Sequence, residues 1–347
     1  MALSPLECIK EHDIHIMSWN VNNDRRIELP GLINKLFPEL LFSARLQLIM
    51  ATICSINPDI MLLQEMNQEG VQIMKQNLEK EGYTVAIGAY CDNPLAFWHL
   101  TAWSSRFERL EAFQRYFTRT PTKPTSSTIS KEDKLANNFG EEFEKSTLIV
   151  TLRERETGRI KVLSNNHFGL RNPYKQISAE LLVTFLRDYT TYIQSRYSKP
   201  ELIIGGDFNT FENDTHKQMI SDYASCVSTC ALSKDLTGTI GSEMFSSFAI
   251  TPYDLFGLTK EANEHLTENP TEIREHPEML SRDPFCGILD HVFSSMKAKN
   301  KFYFVPDVNV FDNKEKRKHA HTQALKEHIP LTPSDHLPLV VDLICQN

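Results

Sequence analysis

Hydrophobic and polar positions follow two different periods along the chain, and these periods predict a mixture of strands and helices. Residues 12–19 alternate, with Ile14 and Ile16 on one side, which predicts a β-strand. In residues 175–197 apolar side chains recur every four positions, which predicts the clearest amphipathic helix. Two further helices are predicted at residues 40–56 and 68–80. No segment of 20–50 residues repeats, so a solenoid or propeller is not expected.

Short apolar runs between Gly, Pro and polar residues predict the remaining strands. Thr157-Gly158 separates two of them and is typical of a hairpin turn. The runs lie at residues 59–65, 83–89, 96–103, 147–152, 160–165, 201–205, 287–294, 302–308 and 337–343. Because strands and amphipathic helices are interspersed, the chain is predicted to be an α/β protein.

Two segments interrupt this pattern and are predicted to be inserted loops. Residues 119–134 contain Ile129 as their single aliphatic residue, and residues 260–283 carry seven acids against three bases. Without them roughly 300 residues remain, which suits one large domain better than two. We therefore predict a single domain over residues 1–347, with insertions near 119–134 and 260–283.

Charge narrows the range of functions. The chain has 37 Lys and Arg against 45 Asp and Glu, a net charge of −8, which argues against sequence-independent binding along a long duplex. The first residues lack a basic segment followed by an apolar run, and no stretch is apolar enough to span a bilayer. We expect a cytoplasmic protein without stable membrane insertion, with non-classical secretion and the oligomeric state left open.

Polar side chains cluster where the predicted strands end. They are Asn20, Glu65, His167, Asp207, Asn209, Asp290, Asp335 and His336. Taken singly, Asn20 is also explained as a turn cap, Glu65 as a solvated acid and His167 as a loop histidine. Asp290 lies inside the apolar run Ile-Leu-Asp-His-Val-Phe, where an unpaired carboxylate is costly. Because side chains at strand ends converge at one edge of a sheet, this set predicts a single polar site.

The chemistry of these groups favours metal-assisted attack of water on phosphorus. Glu65 and Asp335 are oxygen ligands suited to Mg²⁺, with Mn²⁺ as an alternative, and Asn20 is placed to orient that shell or a bound phosphate. A divalent ion stabilises charge on the phosphoryl and leaving oxygens. No P-loop, dinucleotide-binding glycine fingerprint or nucleophilic serine elbow accompanies these residues.

The remaining groups are suited to act on the water and the phosphate. Asp207 can orient the attacking water, and Asn209 can donate a hydrogen bond to a phosphoryl oxygen. His167 and His336 offer N–H donors to developing charge. Asp290 can bind the far nitrogen of His336 and fix its tautomer.

Six segments in this order resemble the endonuclease/exonuclease/phosphatase superfamily, over nearly the whole chain. They are Ser-Trp-Asn-Val-Asn, Pro-Asp-Ile with Leu-Gln-Glu, Asn-Asn-His-Phe, Gly-Gly-Asp-Phe-Asn, Leu-Asp-His-Val-Phe and Pro-Ser-Asp-His-Leu-Pro-Leu. The resemblance implies a four-layer α/β sandwich of two packed mixed β-sheets flanked by helices, and Mg²⁺-dependent phosphoester hydrolysis. It implies that Glu65 is the chief metal ligand, with Asn20 and Asp335 near the metal. Asp290 and His336 become a carboxylate–histidine dyad.

Two positions depart from the pattern of this superfamily. Asn22 stands where several nucleases carry Asp, so a one-metal site is expected, with Asn22 as a substrate contact. His291 follows Asp290 where many members have an aromatic residue, and a structural role is expected for it. Arg171 is a second candidate substrate contact, with an ordinary surface arginine as the alternative.

The last two motifs look most like the deadenylase and nocturnin-like branch of the superfamily. The expected enzyme is therefore a phosphodiesterase or nuclease acting on RNA, single-stranded nucleic acid or nucleotides. A phosphatase, or a phosphodiesterase of sphingomyelin or phosphoinositides, is the alternative with the same core site. The Cys-Asp-Arg signature of inositol phosphatases is absent near Asp290, which argues against that group. An inactive scaffold is disfavoured because the polar set is intact.

Overall fold

The computed structural model describes residues 13–21, 42–89, 98–117, 146–169, 174–209, 215–227, 290–303 and 338–344. The helices there are α1 (Phe42–Ile56), α2 (Gln68–Lys80), α3 (Tyr174–Arg196) and α4 (Thr215–Val227). The strands of the first half are β1 (Ile14–Asn20), β2 (Ile60–Met66), β3 (Thr84–Ala89), β4 (Trp98–Trp103) and β5 (Phe107–Tyr116). Those of the second half are β6 (Ser146–Glu154), β7 (Ile160–His167), β8 (Glu201–Asp207), β9 (Asp290–Ser294), β10 (Lys297–Tyr303) and β11 (Leu339–Ile344).

The described strands form two mixed sheets. The first sheet has the order β10-β11-β1-β2-β4-β3 and the second the order β5-β6-β7-β8-β9. Each sheet contains one parallel pair, β1 with β2 and β7 with β8, and its other neighbours are antiparallel. The expected α/β sandwich of two mixed sheets with flanking helices is confirmed.

Three apolar layers hold the sandwich together. The inner layer lies between the sheets and includes Ile14, Ile16 and Leu62 from the first sheet and Leu163 and Ile203 from the second. One outer layer packs the first sheet against α1 and α2, and the other packs the second sheet against α3 and α4. Both faces of the central strands are therefore buried, which explains why β2 and β8 are continuous apolar runs rather than alternating ones.

Most elements occur where the hydrophobic pattern predicts them. The helix predicted over residues 68–80 is α2, and the apolar stripe of residues 175–197 belongs to α3. The predicted hairpin turn joins β6 to β7, with Gly158 at φ +70°. None of the helices in the described part of the chain has the length and apolarity needed to cross a membrane.

The pattern misses two elements and misplaces a third. β5 is an edge strand rich in charged residues, and α4 follows the polar segment after Asp207, so neither was predicted. The strand predicted at residues 302–308 begins earlier, at Lys297, and its last five residues lie outside the described ranges. The proposed insertions at 119–134 and 260–283 lie outside them too, and the single-domain prediction stays a prediction.

Candidate active site

Four polar side chains meet where the two parallel strand pairs end. Asn20 and Glu65 come from β1 and β2 of the first sheet, and His167 and Asp207 from β7 and β8 of the second. Asn20 Nδ2 donates to Asp207 Oδ2 over 3.1 Å. His167 Nε2 lies 3.2 Å from Glu65 Oε1 and 3.6 Å from Asp207 Oδ2. The two sheets therefore close on each other at this end through polar contacts instead of apolar ones.

The alternation of side chains explains why most of these groups face the space between the sheets. In β7, His167 lies four residues after Leu163 of the inner layer, and in β8, Asp207 lies four after Ile203. In β1, Asn20 lies four residues after Ile16. Residues an even number apart share one face of a strand, so the inner apolar layer continues directly into the polar site.

Glu65 breaks this rule, and its backbone shows how. Its neighbour Gln64 shares the inner face with Leu62, so in a regular strand Glu65 would point away from His167. The β2–β4 register shifts between Leu63 and Met66, and Glu65 has φ +58°. This bulge and the left-handed conformation turn the carboxylate toward the second sheet, at a cost of about 1–2 kcal/mol for a residue with a Cβ.

Both carboxylate oxygens of Asp207, in the Gly-Gly-Asp-Phe-Asn segment, accept hydrogen bonds from neighbouring residues. The backbone N–H of Asn209 donates to Asp207 Oδ1 over 2.8 Å, while Oδ2 accepts from Asn20. Asn209 has φ +50°, and its Nδ2 donates to the Phe168 carbonyl over 2.8 Å. Lys175 Nζ donates to the carbonyl of Asn209. Asp207 is 2% exposed, so these bonds replace the water that its carboxylate loses on burial.

Asp290 stands beside Asp207 on the neighbouring strand. The two are register partners in the antiparallel pair β8–β9, and Asp290 shares the inner face with Val292. Side chains of such partners lie about 4.5–5.5 Å apart at Cβ. His291 points to the opposite face, where its ring is 6.1 Å from that of Phe208 and 5.8 Å from that of Phe293. It is fully buried, which favours the structural role expected for it.

Four of the predicted site residues lie outside the described ranges. They are Asn22, Arg171, Asp335 and His336. The pairing of Asp290 with His336, the metal contact of Asp335 and the substrate contacts of Asn22 and Arg171 therefore stay predictions.

The donor set at the centre suits a divalent metal ion. Glu65, His167 and Asp207 each offer one ligand atom, and these three atoms lie within 4.8 Å of one another. Two carboxylates this close repel each other unless a cation or a proton lies between them. Carboxylate oxygens suit Mg²⁺ and Mn²⁺, whereas an imidazole nitrogen is better suited to Zn²⁺ or Fe²⁺, so the two carboxylates are the ligands that a magnesium ion would use here. The sequence does not predict the contact between His167 and Glu65, since it crosses from one sheet to the other.

Sequence reasoning also missed buried polar residues behind the site. Gln64, Asn165 and Asn166 are fully buried, and Lys175 is 7% exposed. A sequence signal was available for the asparagines, because two adjacent amides stand in a predicted buried strand directly before His167. Buried amides need hydrogen-bond partners. An amide that has such partners is held in one position, whereas an apolar side chain only fills space.

A comparison of the sequence with known families identifies the family of the chain. Residues 17–336 match the model of the Endonuclease/Exonuclease/phosphatase family. The chain therefore belongs to this family of phosphoester hydrolases, whose members depend on divalent metal ions, and the resemblance of its six motifs is confirmed. No protein with a curated description matches the sequence significantly.

Solved structures share the fold over nearly the whole chain. The human Nocturnin catalytic domain with bound sulfate is 16% identical, with a TM-score of 0.54 over 95% of this chain and 94% of that one. A mannosyl-6-phosphatase of Bacteroides thetaiotaomicron is 15% identical, with a TM-score of 0.56 over 96% and 100%. D. rerio TDP2 complexed with single-strand DNA product is 14% identical, with a TM-score of 0.54 over 96% and 99%. At these identities the likeness concerns the fold.

Proposed function

We propose that the chain is a Mg²⁺-dependent phosphodiesterase that cleaves RNA, single-stranded nucleic acid or nucleotides by metal-assisted attack of water. The observation that carries the proposal is the meeting of Glu65, His167 and Asp207 within 4.8 Å, at the edge between the two sheets. A divalent ion held there, Mg²⁺ or Mn²⁺, supplies the positive charge that stabilises the phosphoryl and leaving oxygens. Glu65 is the residue proposed to hold it, with Asn20 and Asp335 beside it.

Asp207 is proposed to orient the attacking water. Its two oxygens accept from the Asn209 backbone N–H and from Asn20 Nδ2, which fixes the plane of the carboxylate. An ionised carboxylate has about four lone-pair sites, so the remaining ones can accept the protons of a water molecule. A base held in this way need not reorient during the reaction.

The two histidines are proposed to face the phosphate. His167 Nε2 lies 3.2 Å from Glu65 Oε1 and 3.6 Å from Asp207 Oδ2, so when this nitrogen carries a proton instead of binding the metal it brings an N–H donor to the same point. His336 is proposed as the second donor, with Asp290 holding its far nitrogen. Asn209, Asn22 and Arg171 complete the proposed phosphate and substrate contacts.

The nucleic-acid or nucleotide substrate is supported by the motifs and by the charge of the chain. The closing motifs look like those of the deadenylase and nocturnin-like branch, and human Nocturnin shares the fold. A net charge of −8 favours a short end or a small ester over a long duplex. A phosphatase, or a phosphodiesterase of sphingomyelin or phosphoinositides, is the second candidate, since a mannosyl-6-phosphatase also shares the fold.

A hydrolysis panel tests the proposal. The substrates are poly(A), other single-stranded RNA, single- and double-stranded DNA, dinucleotide phosphates, sugar phosphates, phosphoinositides and sphingomyelin, each with Mg²⁺ and with a chelator. We expect cleavage of single-stranded nucleic acid or nucleotides that stops in chelator. Asp207→Asn and His336→Ala should each lower kcat about 10²–10⁴-fold, the range for loss of an acid–base group.

Asp222→Asn is the matched control, because Asp222 is an exposed acid on α4 whose side chain accepts from Gln218. It should leave the rate unchanged. Activity that survives the chelator, or both site substitutions, would overturn the mechanism. Cleavage confined to lipids or sugar phosphates would reject the nucleic-acid substrate and favour the second candidate.

A further inference from the structure

A pair of buried amide side chains bridges the two sheets directly behind the candidate site. Gln64 lies in β2 of the first sheet and Asn165 in β7 of the second, and neither side chain is exposed. Gln64 Nε2 donates to Asn165 Oδ1 over 2.8 Å and is 2.7 Å from the carbonyl of Leu62. Buried amides in this space need hydrogen-bond partners, because most of the space between the sheets is filled by the apolar inner layer.

The amide of Asn165 binds the main chain of the opposite sheet. Its Nδ2 is 3.1 Å from the Leu63 carbonyl, 2.9 Å from the Leu100 carbonyl and 3.3 Å from Thr101 Oγ1. Leu63 and Leu100 are register partners across β2 and β4, and they are the last regular pair before the bulge. A side chain of the second sheet therefore supplies hydrogen bonds where the ladder of the first sheet is interrupted.

The interruption is what turns Glu65 toward the site. Without the bulge and its positive φ, Glu65 would share the face of Met61 and Leu63, on the side of α1 and α2. A left-handed conformation persists in a residue with a Cβ only when its surroundings determine it. Asn165 binds the residues on the near side of the bulge, and the backbone N–H of Val21 donates to the Gln64 carbonyl over 3.2 Å.

Asn165 and His167 also share one face of β7, since they are two residues apart. The strand that presents His167 thus carries the amide that holds the backbone next to Glu65. The hydrogen bonds of Asn165 to Gln64 and Leu63 tie β7 to β2 close to the place where His167 Nε2 and Glu65 Oε1 lie 3.2 Å apart.

We propose that Asn165, supported by Gln64, is a positioning residue that holds the β2 bulge so that the Glu65 carboxylate faces His167 and Asp207. This inference rests on the proposed function, because it assigns the positioned carboxylate to metal binding. Asn165 touches neither the metal nor the substrate. It acts through the backbone of Leu63 and Leu100.

Mn²⁺ affinity of the whole chain, measured by isothermal titration calorimetry, tests the proposal. Asn165→Leu removes the donor and keeps the volume, and Asn165→Ser keeps one hydroxyl donor with less reach. Both should weaken Mn²⁺ binding, the leucine variant by about 10–100-fold, the usual effect of losing a group that orients a metal ligand. The turnover of both Asn165 variants should fall far below that of the wild type at low Mn²⁺ and come close to it at saturating Mn²⁺. A variant that is only less stable would not show this dependence on Mn²⁺ concentration.

Asn166→Ala is the matched control. Asn166 is equally buried and adjacent, but its Nδ2 donates to the Ser164 and Gly205 carbonyls, which belong to its own sheet. It should lower the unfolding temperature and leave Mn²⁺ affinity nearly unchanged. If Asn165→Leu does not fold, the serine variant and its crystal structure decide, with Glu65 expected to lose its positive φ and its contact with His167.

The variant Glu65→Gln distinguishes a failure of the proposed metal site from a failure of the proposed positioning role of Asn165. If this variant loses Mn²⁺ binding while both Asn165 variants bind as the wild type does, Asn165 has no positioning role and the proposed metal site stands. If Glu65→Gln binds Mn²⁺ like the wild type, the proposed metal site itself is wrong. Weak binding in Asn166→Ala, equal to that of the Asn165 variants, would also overturn the inference, because any buried amide would then have the same effect.

Discussion

Backbone conformation marks the site at the scale of single residues. Among the described residues other than glycine, φ is positive at Asn57, Glu65 and Asn209. Asn57 directly follows the last residue of α1 and precedes Pro58, and the residue after a helix often has positive φ. The other two carry side chains of the candidate site, and in both the left-handed backbone aims a polar group at Asp207 or His167. The strained backbone conformations of Glu65 and Asn209 therefore occur where they orient side chains of the candidate site.

Asn209 allows the backbone and side-chain contributions to be separated. Asn209→Gly keeps the φ of +50° and loses the amide, whereas Asn209→Ala loses the amide and must also bear the strain of a Cβ. We expect Ala to be less stable than Gly by about 1 kcal/mol in urea unfolding. Both should lower kcat/KM about 10²-fold, the effect of one lost donor at developing charge. Equal stability of the two variants would mean that the backbone is unstrained here.

At the scale of the element, β8 shows why two glycines precede Asp207. Gly206 has φ +141°, and a Cβ there would lie 1.9 Å from the Asn166 carbonyl oxygen of β7. At Gly205 a Cβ would lie 2.5 Å from Leu62 Cδ1, the end of a movable side chain in the other sheet. Gly206 therefore permits close approach of a neighbouring backbone, and Gly205 permits close approach of a side chain. The Leu62 side chain can move away from a Cβ at position 205, whereas the Asn166 backbone cannot move away from one at position 206.

Gly206→Ala and Gly205→Ala form a matched pair for this strand. We expect Gly206→Ala to lower the free energy of unfolding by about 3 kcal/mol or more, because the backbones of β7 and β8 must separate. Gly205→Ala should cost about 1 kcal/mol, since Leu62 can change rotamer. Chemical denaturation measures both values. A smaller loss for Gly206→Ala than for Gly205→Ala would contradict this reading of the β7–β8 contact.

At the scale of the whole molecule, a charged network joins the sheets at the end opposite to the site. Arg106 follows β4 and donates to Glu154 Oε1 of β6 over 2.8 Å and to the carbonyl of Asp13 over 2.6 Å. Lys161 Nζ is 3.6 Å from Glu154 Oε2 and also binds Glu201. The sandwich is thus closed by polar contacts at both ends and by the apolar inner layer between them.

Acid should weaken this network through Glu154. Burial alone would raise the pKa of this carboxyl, but the hydrogen bond from Thr157 and the charges of Lys161 and Arg106 outweigh it and hold the pKa below its ordinary value of 4.5. A lowered carboxyl pKa stabilises the folded state above about pH 4.5, and this stability is lost as the pH falls through the folded-state pKa. Unfolding free energy should therefore decline below pH 4.5, more steeply in the wild type than in Glu154→Gln.

The same variant tests the network at neutral pH. Glu154→Gln should lose about 3 kcal/mol at pH 7, because Lys161 and Arg106 lose a buried partner. Glu108→Gln is the control, since Glu108 lies 3.8 Å from Arg153 on the exposed edge strand β5 and should change stability by less than about 0.5 kcal/mol. Equal losses in the two variants, or parallel pH profiles for wild type and Glu154→Gln, would contradict the role of Glu154.

The fold was predictable as far as each element carried its own signal. α2 and α3 show helical periodicity, and β2 and β8 are apolar runs bounded by Pro or Gly, so local sequence was sufficient for them. β5 was missed because an edge strand is half exposed and its register shifts between Arg109 and Glu111, which removes a clean alternation. The order of strands within each sheet depends on contacts between distant segments and has no local signal.

The candidate site was also predictable in part, as far as single residues carried a local signal. Residue types at strand ends were enough to select Asn20, Glu65, His167, Asp207 and Asn209, because polar groups that follow buried strands must meet solvent, a ligand or one another. The sequence by itself therefore determined which groups are available and the chemistry that they favour. Only the tertiary structure decided that Glu65 lies against His167 and that Asn165 binds the main chain beside the bulge, because both contacts cross between sheets and depend on a register shift that no stretch of sequence encodes alone.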